Sequence, residues 1–174
     1  MADNGNWKEY LLNISILSHP DELANPLIQR LMQTYPKQVT LHNTSSKSEN
    51  VFILQLELKS WRLTIYLVQP IGQLMDKMVS DYYTAIAGSI ILFSNNPESF
   101  EAARAFYDQL KKINDKIPVL VTFIEVIDGD VPIIDEPEVL DDSPNVTYYG
   151  IRENDEEAFS KIIKTFVNNY FGIQ

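Results

Sequence analysis

Ile117-Pro118-Val119-Leu120-Val121-Thr122-Phe123-Ile124-Glu125-Val126-Ile127 is a nearly continuous apolar run, and its reading decides the fold class. Its β-branched and aromatic residues suit extended chain. A strand that is apolar on almost every position must be buried on both faces, which points to the middle of a parallel sheet with helices on both sides. The surrounding sequence agrees. Upstream, Ser89–Ser94 is a short apolar strand. Asn96 then caps a helix that has Pro97 just inside it, with Phe100, Ala103, Tyr107 and Leu110 along one face. Downstream, residues 145–149 form a last short strand. Asn154 and Glu157 have the spacing of a capping box for a final helix bearing Ala158, Ile162, Ile163, Phe166 and Tyr170.

The amino-terminal half continues the alternation. Residues 10–17 read as a mostly buried strand. After a polar loop, Asn25 is the expected N-cap of a helix with Pro26 at its first position and Leu27, Ile28, Leu31, Met32 and Tyr35 as its apolar face. Residues 36–50 are polar and read as loop. The runs 51–58 and 61–68, separated by Lys59-Ser60, suggest an antiparallel hairpin. A further helix is expected from about Gln73 to Ala87, with Leu74, Met75, Met78, Val79, Tyr82 and Ile86 at helical spacing. The expected architecture is α/β: a mostly parallel six-stranded sheet with 51–58 as one antiparallel edge strand. Residues 1–174 make one domain, with 1–9 a flexible start and 128–144 an acidic, proline-containing loop.

Composition limits the function classes. A chain of 174 residues with 45% hydrophobic residues is long enough for a substantial core. It has no cysteine, which removes disulfides, zinc-thiolate centres, thiol nucleophiles and prenyl or palmitoyl anchors. The start Met1-Ala2-Asp3-Asn4-Gly5 has neither a myristoylation glycine nor a signal-peptide core, and no apolar run suffices to span a bilayer. The expected location is cytoplasmic, so the Asn-x-Ser/Thr triplets at Asn13, Asn43 and Asn145 read as chance. A net charge of −10 repels nucleic acid and anionic lipid and suits a basic protein partner. His19 and His42 have no metal-ligand spacing, and no nucleophile elbow is present.

The order of elements, with one hairpin after the first helix, resembles that of the Ras-type small GTPases, and local sequence carries the resemblance further. Gly72-Gln73 follows the second hairpin strand as the family's Asp-x-x-Gly-Gln turn does. The stretches Tyr82-Tyr83-Thr84-Ala85-Ile86-Ala87-Gly88-Ser89-Ile90-Ile91-Leu92-Phe93 and Ser94-Asn95-Asn96-Pro97-Glu98-Ser99-Phe100-Glu101 resemble the family's fourth strand and its entry into the next helix. Ile117-Pro118-Val119-Leu120-Val121 resembles the fifth strand. The likeness covers about residues 10–170 and implies a Ras-like P-loop GTPase fold.

The chemistry of that family is missing. A phosphate loop reads Gly-x4-Gly-Lys-Ser/Thr because bare amides and one lysine wrap the phosphates. The aligned residues are Ser18-His19-Pro20-Asp21-Glu22-Leu23-Ala24-Asn25: neither glycine is present, and Ala24 and Asn25 stand for the lysine and the magnesium-binding hydroxyl. Pro20 and Pro26 each remove a backbone donor, and Asp21 and Glu22 add negative charge where phosphate would sit. Gln69 replaces the magnesium-linked aspartate. Thr122-Phe123-Ile124-Glu125-Val126-Ile127 replaces the guanine-reading Asn-Lys-x-Asp, and Tyr149-Gly150-Ile151-Arg152 replaces the Ser-Ala-Lys loop. Gln73 alone is kept, at the position that orients water in an active GTPase, and without magnesium and phosphate its role is structural or partner-facing.

The resulting expectation is a pseudo-GTPase: no enzyme, no cofactor, no metal, no GTP binding, and a role as an interaction or scaffold subunit in a larger complex. The alternative is a divergent nucleotide-binding switch with weak or slow hydrolysis. The expected partner-binding residues are Gln73, Leu74, Met75, Met78, Tyr82 and Tyr83, an adaptable methionine and aromatic cluster in the region corresponding to the family's switch. Residues 117–151 hold eight acids and no lysine or arginine. They read first as a solvated loop and second as a docking loop for a basic partner.

Overall fold

The computed structural model describes residues 8–42, 49–58, 61–70, 86–125, 140, 142–152 and 155–172. The chain begins with a long strand, β1 (Lys8–Ser18), then a 3-10 turn (Asp21–Ala24) that runs directly into α1 (Asn25–Thr34). A short strand β2 (Val39–His42) is followed by β3 (Glu49–Leu58) and β4 (Trp61–Pro70). Then come β5 (Gly88–Ser94), α2 (Pro97–Ile113), β6 (Val119–Glu125), β7 (Val146–Arg152) and α3 (Glu156–Phe171). The strands make one mixed seven-stranded sheet in the order β2-β3-β4-β1-β5-β6-β7. From β4 to β7 every neighbouring pair is parallel, while β3 runs antiparallel to both β2 and β4. The fold is therefore α/β, as the alternation of elements indicates, and residues 10–17, 61–68, 89–94 and 146–149 lie in strands of the expected direction, as do 119–125 of the expected 117–127, of which 126–127 lie outside the described residues.

Two apolar layers hold the helices on opposite faces. The period-2 alternation of β1 sends Leu12, Ile14 and Ile16 to one side. There they join Leu54 of β3, Leu63, Ile65 and Leu67 of β4, Leu27 and Leu31 of α1, and Phe159, Ile162 and Phe166 of α3. Leu17 points the other way and packs with Ile91, Phe93, Val119 and Val121 under Ala103, Tyr107 and Leu110 of α2. Inside the sheet, the Ser15 hydroxyl donates to the Ser89 hydroxyl at 2.7 Å between β1 and β5. Gly88 opens β5 at a point of close approach. A Cβ there would lie 2.2 Å from Phe166 Cζ and 2.8 Å from the Pro118 carbonyl oxygen, so only glycine fits without displacement.

The structure corrects several local expectations. Residues 36–50 are not all loop: Val39–His42 is a strand that pairs with β3, making seven strands instead of six and moving 51–58 from the edge to the interior. Four residues with two apolar positions give too short a pattern to stand out, and the strand is set by the open side of β3 and by the Gln55 N–H donating to the Gln38 carbonyl. Asn25 is not an N-cap. The 3-10 turn already supplies helical backbone before it, so Asn25 and Pro26 lie in the first turn of α1, and Ala24 caps with no side-chain bond. The cap of α3 is Asp155, whose carboxylate accepts from the Ala158 N–H at 2.9 Å, and Asn154 lies outside the described residues. Ile86 and Ala87, expected in a helix, lie outside any helix and lead into β5, where the Ala87 N–H donates to the Asn13 carbonyl; residues 71–85 lie outside the described residues. Lys8 and Glu9, expected in a flexible start, belong to β1.

Candidate functional site

Open α/β sheets bind ligands outside the carboxyl ends of neighbouring strands whose connections leave on opposite faces. Here that place is the crevice between β1 and β5, since β1 leads to α1 on one face and β5 to α2 on the other. Residues 18–24 bridge it, the same residues that align with a phosphate loop. Their surroundings are polar, and Ser18, Gln69, Ser94, Asn95 and Ser99 are all buried.

The loop is fastened by its carbonyl groups. Asp21 O accepts from Gln69 Nε2 at 3.0 Å, at the end of β4, and from Ser18 Oγ at 3.3 Å. Gln69 is itself oriented by Asn50 Nδ2, which donates to its Oε1 at 3.3 Å from β3. His19 O accepts from Ser99 Oγ at 2.5 Å, and Ser99 Oγ accepts in turn from the Ser94 N–H at 3.1 Å. Pro20 O accepts from the Leu23 N–H, which closes the 3-10 turn. The His19–Pro20 bond is cis. At the rim, His19 Nε2 lies 3.4 Å from Glu98 Oε1, while Asn96 caps α2 by accepting from the Glu98 N–H at 2.8 Å.

This polarity is the reverse of what a phosphate needs. An anion cradle turns N–H groups inward at a helix start. Here two carbonyls face the end of β4 and the first turn of α2 and already hold donors from Gln69 and Ser99. Pro20 and Pro26 have no N–H, and Asp21 and Glu22 place two carboxylates in one short turn. A ligand would have to break buried hydrogen bonds worth about 1 kcal/mol each and more where a polar group is left unpaired.

Of the residues singled out from sequence, Ser18, His19, Asp21 and Gln69 are brought together here. Gln73, Leu74, Met75, Met78, Tyr82 and Tyr83 lie outside the described residues, as do residues 126–139 and 141 of the acidic stretch. Of that stretch, Leu140 packs against the second core layer, and the Ser143 carbonyl accepts from the Val146 N–H to start β7. His42 stands on β2 and His19 at the rim of the crevice. Among the described residues no group of three His, Cys, Asp or Glu is placed to hold a metal ion. Among them, too, no helix is long and apolar enough to cross a membrane. Sequence reasoning read Gln69 only as a lost aspartate and assigned nothing to Asn50 or Ser99. The available signal was a set of polar residues, Asn50 at the start of β3, Gln69 at the end of β4 and Ser99 in the first turn of α2, beside otherwise apolar strands.

No model of a known protein family matches the chain, and no characterised protein matches it in sequence.

Proposed function

We propose that this chain is a Ras-like domain that has lost nucleotide binding and works as a protein-interaction subunit. One observation carries the reading: the loop where a phosphate would dock presents carbonyls, and Gln69 and Ser99 occupy them. The arrangement of one antiparallel hairpin beside a run of parallel strands, with helices on both faces, supports the family comparison, and β2 is an addition at the sheet edge. The replacement of the magnesium and guanine motifs supports the loss of chemistry. A domain without a reaction, with a net charge of −10, is suited to holding partners.

The test is thermal denaturation with GTP and magnesium. A ligand at its dissociation constant stabilises the native state by about 0.4 kcal/mol and one at a hundredfold excess by about 2.7 kcal/mol. For a domain of this size these are shifts of roughly 1 °C and roughly 5–11 °C. We expect no more than the former at about 1 mM GTP, corresponding to millimolar affinity or weaker. A shift of several degrees, given by GTP and not by sulfate, would establish the nucleotide-binding alternative instead.

A further inference from the structure

We propose that residues 19–23 form a strap that couples the end of β4 to the start of α2, so that these two elements do not shift independently. β1 lies between β4 and β5 in the sheet, so the chain leaving β1 at Ser18 stands between the end of β4 and the turn from β5 into α2. Two relays of donors converge on it. From one side, Asn50 Nδ2 of β3 donates to Gln69 Oε1, and Gln69 Nε2 of β4 donates to the Asp21 carbonyl. From the other, the Ser94 N–H at the end of β5 donates to Ser99 Oγ, and Ser99 Oγ of α2 donates to the His19 carbonyl. In each relay the middle group both accepts and donates, which polarises the second bond and strengthens it. Gln69, Ser94 and Ser99 are buried, so breaking a bond leaves a buried polar group unpaired.

The segment between the two anchor points is short and stiff. Only Pro20 separates His19 from Asp21, and its ring holds φ at −65°. The Leu23 N–H closes the turn onto the Pro20 carbonyl at 3.1 Å, and Ser18 Oγ ties the Asp21 carbonyl back to the end of β1 at 3.3 Å. Beyond the turn Ala24 is fully buried and α1 begins at once. A displacement of the Asp21 carbonyl is therefore passed to the His19 carbonyl, and the reverse. Bonds that share one rigid segment hold together or loosen together, whereas the same bonds on a pliable loop act separately. The His19–Glu98 contact, at the exposed rim, adds little to this.

The consequence is a coupling between two places on the domain. Whatever draws the end of β4 away from the Asp21 carbonyl loosens the first turn of α2, and whatever steadies the start of α2 steadies the end of β4 by the same factor. The contacts that carry this do not depend on the pseudo-GTPase reading.

The experiment is a double-mutant cycle in urea, without nucleotide, joined to amide spectra of the isotope-labelled chain. Gln69→Ala removes the anchor on the β4 side and Ser99→Ala the anchor on the α2 side. If the strap couples them, losing either anchor already loosens the other. We therefore expect the double variant to raise the unfolding constant at least about fivefold less than the product of the two single effects. Pairing Ser99→Ala with Asp155→Ala, which removes the distant cap of α3, should give the product within about twofold. The spectra read the same coupling in each folded single variant. Gln69→Ala should shift the Ser94 amide, and Ser99→Ala should shift the side-chain amide of Gln69, with the Asn114 and Ala158 amides unmoved as references at the far end of α2 and in α3. If Gln69→Ala does not fold, Asn50→Ala takes its place in the cycle, since it withdraws only the group that orients Gln69. The proposal is overturned if the double variant matches the product of the single effects within about twofold, or if spectral changes stay on the substituted side. GTP binding in the melting assay would remove the pseudo-GTPase reading without altering these outcomes.

Discussion

Replacing Gln69 tests whether the loop at the end of β1 is held as described. The side chain is 4% exposed and makes two hydrogen bonds, to the Asp21 carbonyl at 3.0 Å and from Asn50 Nδ2 at 3.3 Å. Gln69→Ala removes both, at about 1 kcal/mol each, together with a buried methylene worth about 0.8 kcal/mol. The expected loss is about 3 kcal/mol, or roughly 6–12 °C in melting temperature for a domain of this size. Gln55→Ala, at an exposed position of β3, is the control and should stay within about 0.5 kcal/mol. Gln69→Glu gives a sharper test. A carboxylate facing the Asp21 carbonyl repels it, whereas the protonated acid donates to it, so the folded-state pKa must rise above the unfolded value of about 4.3. Below the unfolded pKa the variant carries no ionisation penalty. Between the two pKa values the penalty grows with pH, and above the folded pKa it levels off at about 1.4 kcal/mol per unit of separation. Urea denaturation from acid to neutral pH reads this directly. A Gln69→Ala variant that melts with the wild type, or a Gln69→Glu variant whose stability relative to wild type does not fall with pH, would show that Gln69 does not hold the loop.

Three further substitutions probe the frame around the site. Gly88→Ala forces a methyl group against the Pro118 carbonyl and the Phe166 ring and should cost about 1–3 kcal/mol in urea denaturation; trimming Phe166 should not restore it fully, since the backbone contact remains. Ser15→Ala and Ser89→Ala should each cost about 1–2 kcal/mol, but the double variant less than their sum, because the second change removes a hydroxyl already left unpaired. Asp155→Ala should destabilise α3 by about 1 kcal/mol, seen as a lower denaturation midpoint with an unchanged slope.

What was legible in the sequence followed from pattern length. Residues 117–127, 89–94 and 61–68 carry enough apolar positions to announce buried strands, and Phe100, Ala103, Tyr107 and Leu110 announce the inner side of α2 at helical spacing. β2 did not announce itself, because Val39 and Leu41 are two positions in four residues and the strand exists through its partner. Caps shifted by a residue or more for a related reason: Asn25 has a capping side chain, but the 3-10 turn before it fixes where the helix begins. The loop at the end of β1 was half visible. Its lack of glycine and lysine is plain from residues 18–25, yet that Gln69 and Ser99 hold the carbonyls depends on the end of β4 and the first turn of α2, which only the fold brings together. The expected partner-binding residues between 73 and 83 and most of the acidic stretch lie outside the described residues.

The central place of β1 also sets the order in which the chain is able to fold. β3 and β4 are neighbours in sequence and form a hairpin locally, but β1 has no sheet partner until β4 exists: Lys8 pairs with Trp61, and Ser15 pairs with Ser89 on the other side. Pro70 completes β4 about 50 residues after Ser18 completes β1. At ribosomal rates of about 5–20 residues per second, β1 therefore spends roughly 3–10 s outside the ribosome or in its exit tunnel as an apolar strand with both edges open. Its pairing closes long loops, which places the domain among slower folders and gives newly made chains a window in which β1 of one molecule can pair with β4 of another.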